Sequence, residues 1–475
     1  MTTQNYLDIF HVSEQDLSNI VSEGLKGGNW CDLYFEDTIY SDLLLRDGAV
    51  ASGGFNVDYG CGVRVLNGEK TGYAYSESTD IQSLLGAAKA AASLKPYTTE
   101  VSSPTGPAWE AGSPIRGSFY TVARDWRVSE LSDFVPWLQS LDEAIRKRDS
   151  RVSKVIAMLS YSMSDILMYN SLGEITTDSR PLGSVSVTVI FTDNGRTEQK
   201  SVSRSWRKGA EMIDSALLEE LASSAVCGVD EAFAAKRPKG GKMSVVMAAG
   251  ASGILLHEAM GHAFEADFNR KGQSIFCDKM GKRICRKGIN ILDDATVPGN
   301  RGSINVDDEG VAGQKTYMVS DGVLSSYLHD RISAGYYGVK PTGNGRRESF
   351  RYNPIPRMRA TYMESGNDGS LEDIIASVRK GIYVDQFSNG EVKIGEGDFT
   401  FYVKSGFLIE NGHLTMPVKD INIIGNGPQA LSDIQAVAGD LKIDDGTWTC
   451  GKEQSVAVSC GIPSVLIKNL TVGGE

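Results

Sequence analysis

The sequence predicts an α+β fold: an N-terminal mixed α/β-layer domain, residues 1–236, followed by a β-rich, barrel-like C-terminal domain, residues 237–475, that bears a short helix near its start. Three observations lead there. The first half interleaves alternating apolar runs with segments of helical period. A dense stop signal, RPKGG at residues 237–241, then interrupts the chain. Beyond about residue 290 the chain is rich in Gly, Asn and Asp between short β runs, the spacing of a twisted sheet or barrel. At 475 residues two domains are expected on length alone, because one core rarely organises so long a chain.

Taken in order, residues 14–27 read as a helix and residues 32–36 as a strand. Residues 62–66 run into Asn67-Gly68, the strongest short hairpin signal, with residues 72–75 as the return strand. Residues 83–94 are Ala-rich and helical. Residues 95–120 carry four Pro and no periodicity, which puts a possible sub-boundary there. Residues 129–147 have helical spacing, and residues 155–191 break into β pieces, including the strict alternation VSVTVI at 185–190. Residues 217–236 read as one helix that the stop signal ends. After it, residues 243–247 form a strand, and Ser252 is placed to cap a helix running to His262.

Charge and composition exclude several classes. With 60 acidic against 48 basic residues the net charge is −12, which opposes direct binding to nucleic acid. The opening residues lack the basic and apolar regions of a leader, and no run approaches the roughly 18 apolar residues of a membrane span. A cytoplasmic location without membrane contact is therefore expected. Seven scattered Cys are an odd number in a chain too long to need disulfide staples, so reduced thiols are the default.

One segment stands apart. His257-Glu258-Ala-Met-Gly-His262 sets two imidazoles and a carboxylate within six residues of a chain holding five His in all. Two core histidines are the bland reading; a metal site explains the clustering better. The spacing is unusual, because the common zinc-peptidase helix carries His at i and i+4 on one face. On a regular helix the i+5 ring lies roughly 140° away around the axis, so both rings reach one ion only through a distortion. Gly261 is the expected place for it, as a π-bulge or an early helix end. Glu258 and His262, at i and i+4, are the alternative ligand pair.

Two imidazoles do not complete a catalytic zinc site, which needs three protein ligands and an open position. Local candidates for the third are Glu265 and Asp267; distant ones are the thiols and His11, His329 and His413. Cys450 is singled out by its turn-like context, WTCGKEQ, in contrast to the apolar settings of Cys61 and Cys227. Buried packing is the competing role for any Cys.

HEAMGHAFEADF at 257–268, together with RYNPIPRMRATYMESG, DFTFYVKSGFLIENG, PVKDINIIGNG, CGKEQ and LTVGGE, resembles the TldD/PmbA metallopeptidase family. The resemblance is strong over residues 237–475 and looser over the first half, where Gly62-Val-Arg64 and its hairpin look like the family's N-terminal domain. It implies Zn2+ held by His257, His262 and Cys450, with Glu258 as the acid/base, as in the subunit type that carries the motif. It also implies an enclosed site in a dimer, homotypic or paired with a motif-lacking relative, that admits peptides or unfolded segments and excludes folded proteins. Substrates would bind as extended strands against a sheet edge. The rival readings are a regulatory subunit, in line with the family's older description as a modulator of DNA gyrase, and a hydrolase of non-peptide amides.

Other features read as structure. Glu265 and Asp267 are candidates to orient an imidazole N–H or are ordinary charges at a helix end. Arg346, Arg347, Arg351, Arg357 and Arg359 read as a solvated basic loop, with a carboxylate clamp or subunit interface as the alternative. His329 and His413 read as surface residues, and Cys277 and Cys285 as free thiols. Residues 239–242 lack the spacing of a phosphate loop, and no dinucleotide fingerprint occurs.

Overall fold

The computed structural model describes residues 2–93 and 118–473. An antiparallel six-stranded sheet dominates the first half: β1 (Trp30–Arg46), β2 (Ala49–Asn67), β3 (Lys70–Ser76), β4 (Val152–Asn170), β5 (Ile175–Asp193) and β6 (Arg196–Trp206), in the order β3-β2-β1-β4-β5-β6. Because β1 pairs with β4, the segments on either side of the possible sub-boundary share one sheet. That sub-boundary, near 95–120, lies mostly outside the described residues.

The pleat of β1 divides the molecule. Its odd positions, Cys31, Leu33, Phe35, Leu43 and Leu45, are buried beneath helices. At one end these are α1 (Thr3–Phe10), α2 (Glu14–Gly24) and α3 (Ile81–Ala92); at the other, α4 (Val135–Arg148) and α5 (Ser215–Val226). Its even positions, Asp32, Tyr34 and Glu36, are buried too, but against the second half of the chain. There Tyr34 packs with Val306 and Phe350, and Arg64 bridges Asp32 and Glu309 at 2.6 Å each. A strand buried on both faces thus carries apolar residues on one and satisfied polar ones on the other.

The second half contains a closed five-stranded ring. β7 (Gly241–Met247) pairs with Lys380–Val392, which pairs with Asp398–Glu410, then Ile421–Asn426, then Val465–Gly473, which returns to β7. The barrel-like domain expected from the sequence is therefore present. Beside it lies a second six-stranded sheet that includes Ala360–Met363 and Ser459–Ile462.

Two local expectations fail. Residues 217–236 form two helices, α5 and α6 (Val229–Ala234), because Gly228 adopts φ +74 between them, a conformation that ends a helix. Ser252 caps nothing: it sits inside a 3-10 turn, Ala251–Gly253, and its buried hydroxyl has no hydrogen-bond partner.

Candidate metal centre

From β7 the chain turns at Gly250, φ +95, into the Ala251–Gly253 turn, one α turn at Ile254–Leu256, a π turn at His257–Gly261 and a 3-10 turn at His262–Phe264. The π turn resolves the i+5 problem. The backbone N–H of His262 donates to the carbonyl of His257, so the wider turn brings the two residues onto one side. Their ring centroids stand 5.3 Å apart. Gly261 contributes differently from the sequence expectation. Its φ of −57 is ordinary, but a Cβ there would lie 2.1 Å from Met358 Sδ, so glycine is required by close packing and not by backbone freedom.

The third member arrives from 188 positions away. Cys450 lies on a two-stranded hairpin, Thr449–Lys452 with Gln454–Ala457, turned at Glu453 with φ +57. Arg357, fully buried, grips that hairpin through the carbonyls of Cys450 at 2.6 Å and Gln454 at 2.8 Å. The result is one buried cluster: ligand atoms of His257, His262 and Cys450 all lie within 4.8 Å of one another, and it is the one such cluster of three among the described residues.

The electrostatics are those of a donor set. Burial opposes ionising the Cys450 thiol, yet His257 and His262 outweigh it and pull the thiol down to about 4. His262 Nε2 reaches it at 3.2 Å, and the His257 ring lies close beside it, neither of its nitrogens making a well-formed hydrogen bond among the described residues. Burial also opposes charge on His262, but Glu265 and Cys450 hold it well above its ordinary value. Two orphaned ring nitrogens in the protein interior, facing a thiolate, fit a metal cation.

Behind the cluster Glu265, fully buried, takes His262 Nδ1 at 2.9 Å and Lys452 Nζ at 3.1 Å. Burial would raise its carboxyl; Lys452 and His262 overcome this and hold it at about 2. Asp267 does not reach a ring: it pairs with Lys452 at 2.8 Å. Glu258 is half-buried between buried neighbours, and no described side chain hydrogen-bonds or ion-pairs with it. Lys452 escaped the sequence reading, and Arg357 was read only as part of a solvated basic loop. For Lys452 the available signal was its place two residues after Cys450, on the same face of a strand.

Several readings need correction. Arg346, Arg347, Arg357 and Arg359 are at most 5% exposed, not a solvated loop, because backbone carbonyls and carboxylates from distant segments surround them. Arg351 alone is half-buried, and it pairs with Asp58 and Glu77. His329 is buried among Tyr327 and Tyr337, and burial pushes its pKa down to about 4; it stands outside the cluster. Cys227 is exposed, contrary to its apolar neighbourhood in sequence.

Family models for the PmbA/TldA metallopeptidases match in three parts: domain 1 over residues 31–95, the central domain over 124–228 and the C-terminal domain over 240–474. A metalloprotease TldD homolog of Haemophilus influenzae is 37% identical, covering 100% of this chain and 97% of its own length. This chain belongs to the TldD/PmbA family. A TldD homolog of Buchnera aphidicola is 36% identical over 100% of the chain, and a zinc metalloprotease TldD homolog of Saccharolobus solfataricus is 36% identical over 50% of it. Among solved structures, TldE of Thermococcus kodakarensis shares the fold with a TM-score of 0.76 at 19% identity, covering 97% of this chain and 100% of its own. The resemblance read from the motifs is the true one, and relatives across the TldD/PmbA family carry the name metalloprotease.

Proposed function

We propose that this chain is a zinc-dependent peptidase that hydrolyses peptides or unfolded polypeptide segments, with His257, His262 and Cys450 as the metal ligands and Glu258 as general base. The observation that carries it is the convergence of those three donors, from two segments 188 positions apart, into one buried cluster, with Glu258 next in sequence to His257 and without a side-chain partner among the described residues. Zinc, when bound, supplies a Lewis acid for the scissile carbonyl and lowers the pKa of its water to about 7.

The chain's own residues do the rest. Glu258, unpaired and half-buried, is free to accept a proton from the attacking water and return it to the leaving amine. Glu265 accepts from His262 Nδ1, which fixes the ring so that Nε2 faces Cys450. Lys452 keeps Glu265 ionised, so the ring orientation persists across the neutral range. On this reading Asp267 acts one step further out, by holding Lys452. The working assembly would be a dimer, of two such chains or with a motif-lacking relative, in the cytoplasm.

Glu258→Gln tests the assignment, because it keeps shape while removing the proton acceptor. Zinc content is expected to stay near that of the wild type while hydrolysis of an unstructured peptide library falls by about 10²–10⁴-fold. Loss of zinc along with activity would make Glu258 a ligand instead. A zinc-loaded wild type that cleaves no member of the library, with a motif-lacking relative supplied, would end the peptidase reading in favour of a regulatory one.

A further inference from the structure

The hairpin that carries Cys450 also borders a cavity of about 580 Å³ between the two halves of the molecule. Thr449, Ser455 and Ala457, which alternate with Cys450 along the hairpin, line it. So do Arg207, Arg301, Arg346 and Arg359, each at most 8% exposed.

None of these four arginines has a carboxylate within ion-pair distance among the described residues. Arg207 donates to the carbonyls of Pro181 and Arg301, and Arg346 to those of Met358 and Ala457. Arg301 donates to the Trp448 carbonyl and the hydroxyls of Ser205 and Thr449. Arg359 reaches the Gly343 carbonyl, while its buried Nη2 has no hydrogen-bond partner among the described residues. Carbonyls satisfy donors but do not cancel charge, and a buried charge without a counter-charge is costly.

The carboxylates lining the same cavity are committed elsewhere. Asp308 is bound to Arg180 at 2.5 Å and Asp58 to Arg351 at 3.0 Å. Exposed Glu348 accepts from the Ser455 N–H at 2.6 Å. Burial holds the Glu36 carboxyl up at about 7, so it is only half ionised at pH 7, and its oxygens already accept from Thr38 Oγ1 and the Phe350 N–H. Burial, with mutual repulsion, also pushes Arg346 well down and Arg301 and Arg359 to about 10.

We propose that this cavity is a binding site for a small oxyanion, a phosphate or carboxylate group, held by Arg207, Arg301, Arg346 and Arg359. Guanidinium forks match both groups, and the cavity leaves room for the body of a small ligand. Arg301 and Arg346 also hold the hairpin at Trp448 and Ala457, so occupancy would tie the anion to the segment that presents Cys450. The proposal stands apart from the peptidase reading and needs no turnover to test.

Isothermal titration of the full chain with inorganic pyrophosphate and with citrate, at constant ionic strength set by chloride, is expected to show saturable one-to-one binding of at least one. The tighter of the two names the ligand chemistry. Arg346→Met is expected to weaken that binding by at least about tenfold. The same variant without anion is expected to melt no lower than the wild type, since it deletes an uncompensated charge. Tungstate soaked into crystals is expected to give anomalous density against these arginines, a readout that survives even if the variant misfolds. No saturable binding of either anion, equal binding by Arg346→Met, or tungstate only at the surface would overturn the site.

Discussion

The two sides of the Thr449–Ala457 hairpin solve opposite electrostatic problems. Around Cys450 the charges close on one another: the thiol sits against His262, His262 against Glu265, and Glu265 and Asp267 share Lys452. Along the neighbouring cavity wall four arginines have carbonyls for company and, among the described residues, no carboxylate within ion-pair distance. The first arrangement is built for preorganisation, because each polar group already has the partner that fixes its direction. The second stores unbalanced charge, which an external anion would relieve.

The strongest way to break the preorganised side is to remove its remote donor. Cys450→Ala is expected to lower zinc affinity on the order of 10²-fold or more, while Cys460→Ala, buried on the neighbouring strand, leaves it within a few-fold; competition with a chromophoric chelator reads both. Unchanged affinity in Cys450→Ala would remove it from the ligand set. Next comes the support beneath. Lys452→Met leaves buried Asp267 without its ion partner and Glu265 with His262 as its one close partner, so unfolding in urea is expected to show a loss of about 3–5 kcal/mol. A loss below about 1 kcal/mol would show that the network is looser than its distances imply.

The π turn allows a subtler break. Gly261→Ala puts a methyl group into the space of Met358 Sδ, and a loss of about 2–3 kcal/mol in urea is expected, with weaker zinc binding as His262 is displaced. Stability and affinity both unchanged would mean that Met358 yields freely.

The smallest effect sharpens the contrast from the cavity side. Glu36 holds its proton in the folded protein up to about 7 and in the unfolded chain only to near 4.5. Its contribution to stability is thus complete below about pH 4.5 and is lost as pH rises through 7. Glu36→Gln cannot titrate, so its stability relative to wild type is expected to improve by about 1–2 kcal/mol between pH 5 and pH 6.5, read by thermal melts. A pH-independent difference would place an ionised Glu36 among the arginines.

How much of this the sequence revealed depends on the range of the interaction. Local geometry was legible: i+5 spacing of His257 and His262 demanded a distorted turn, and a π turn begins at His257 itself. The Asn67-Gly68 hairpin and the ring of strands followed from turn residues and alternation. Cys450 was legible through its context and, more firmly, through the family's motif. Burial of polar residues was not. Arg346, Arg357 and Arg359 look soluble in sequence because nothing local announces the carbonyls that receive them, some as many as 111 positions away. Lys452 was hidden for the same reason, its carboxylate partners lying 185 positions or more upstream.

The closed ring of strands sets an order of events. β7 and the two histidines are made about midway, but the ring closes only when Val465–Gly473 returns to β7, and Cys450 emerges shortly before that strand. Every growing chain therefore passes through a long interval in which two of the three donors exist and the third has not been synthesised. A chain cut short by premature termination keeps the histidines and lacks the thiol. The layout acts as an order check, in which the three clustered side chains come together only in molecules synthesised past Cys450.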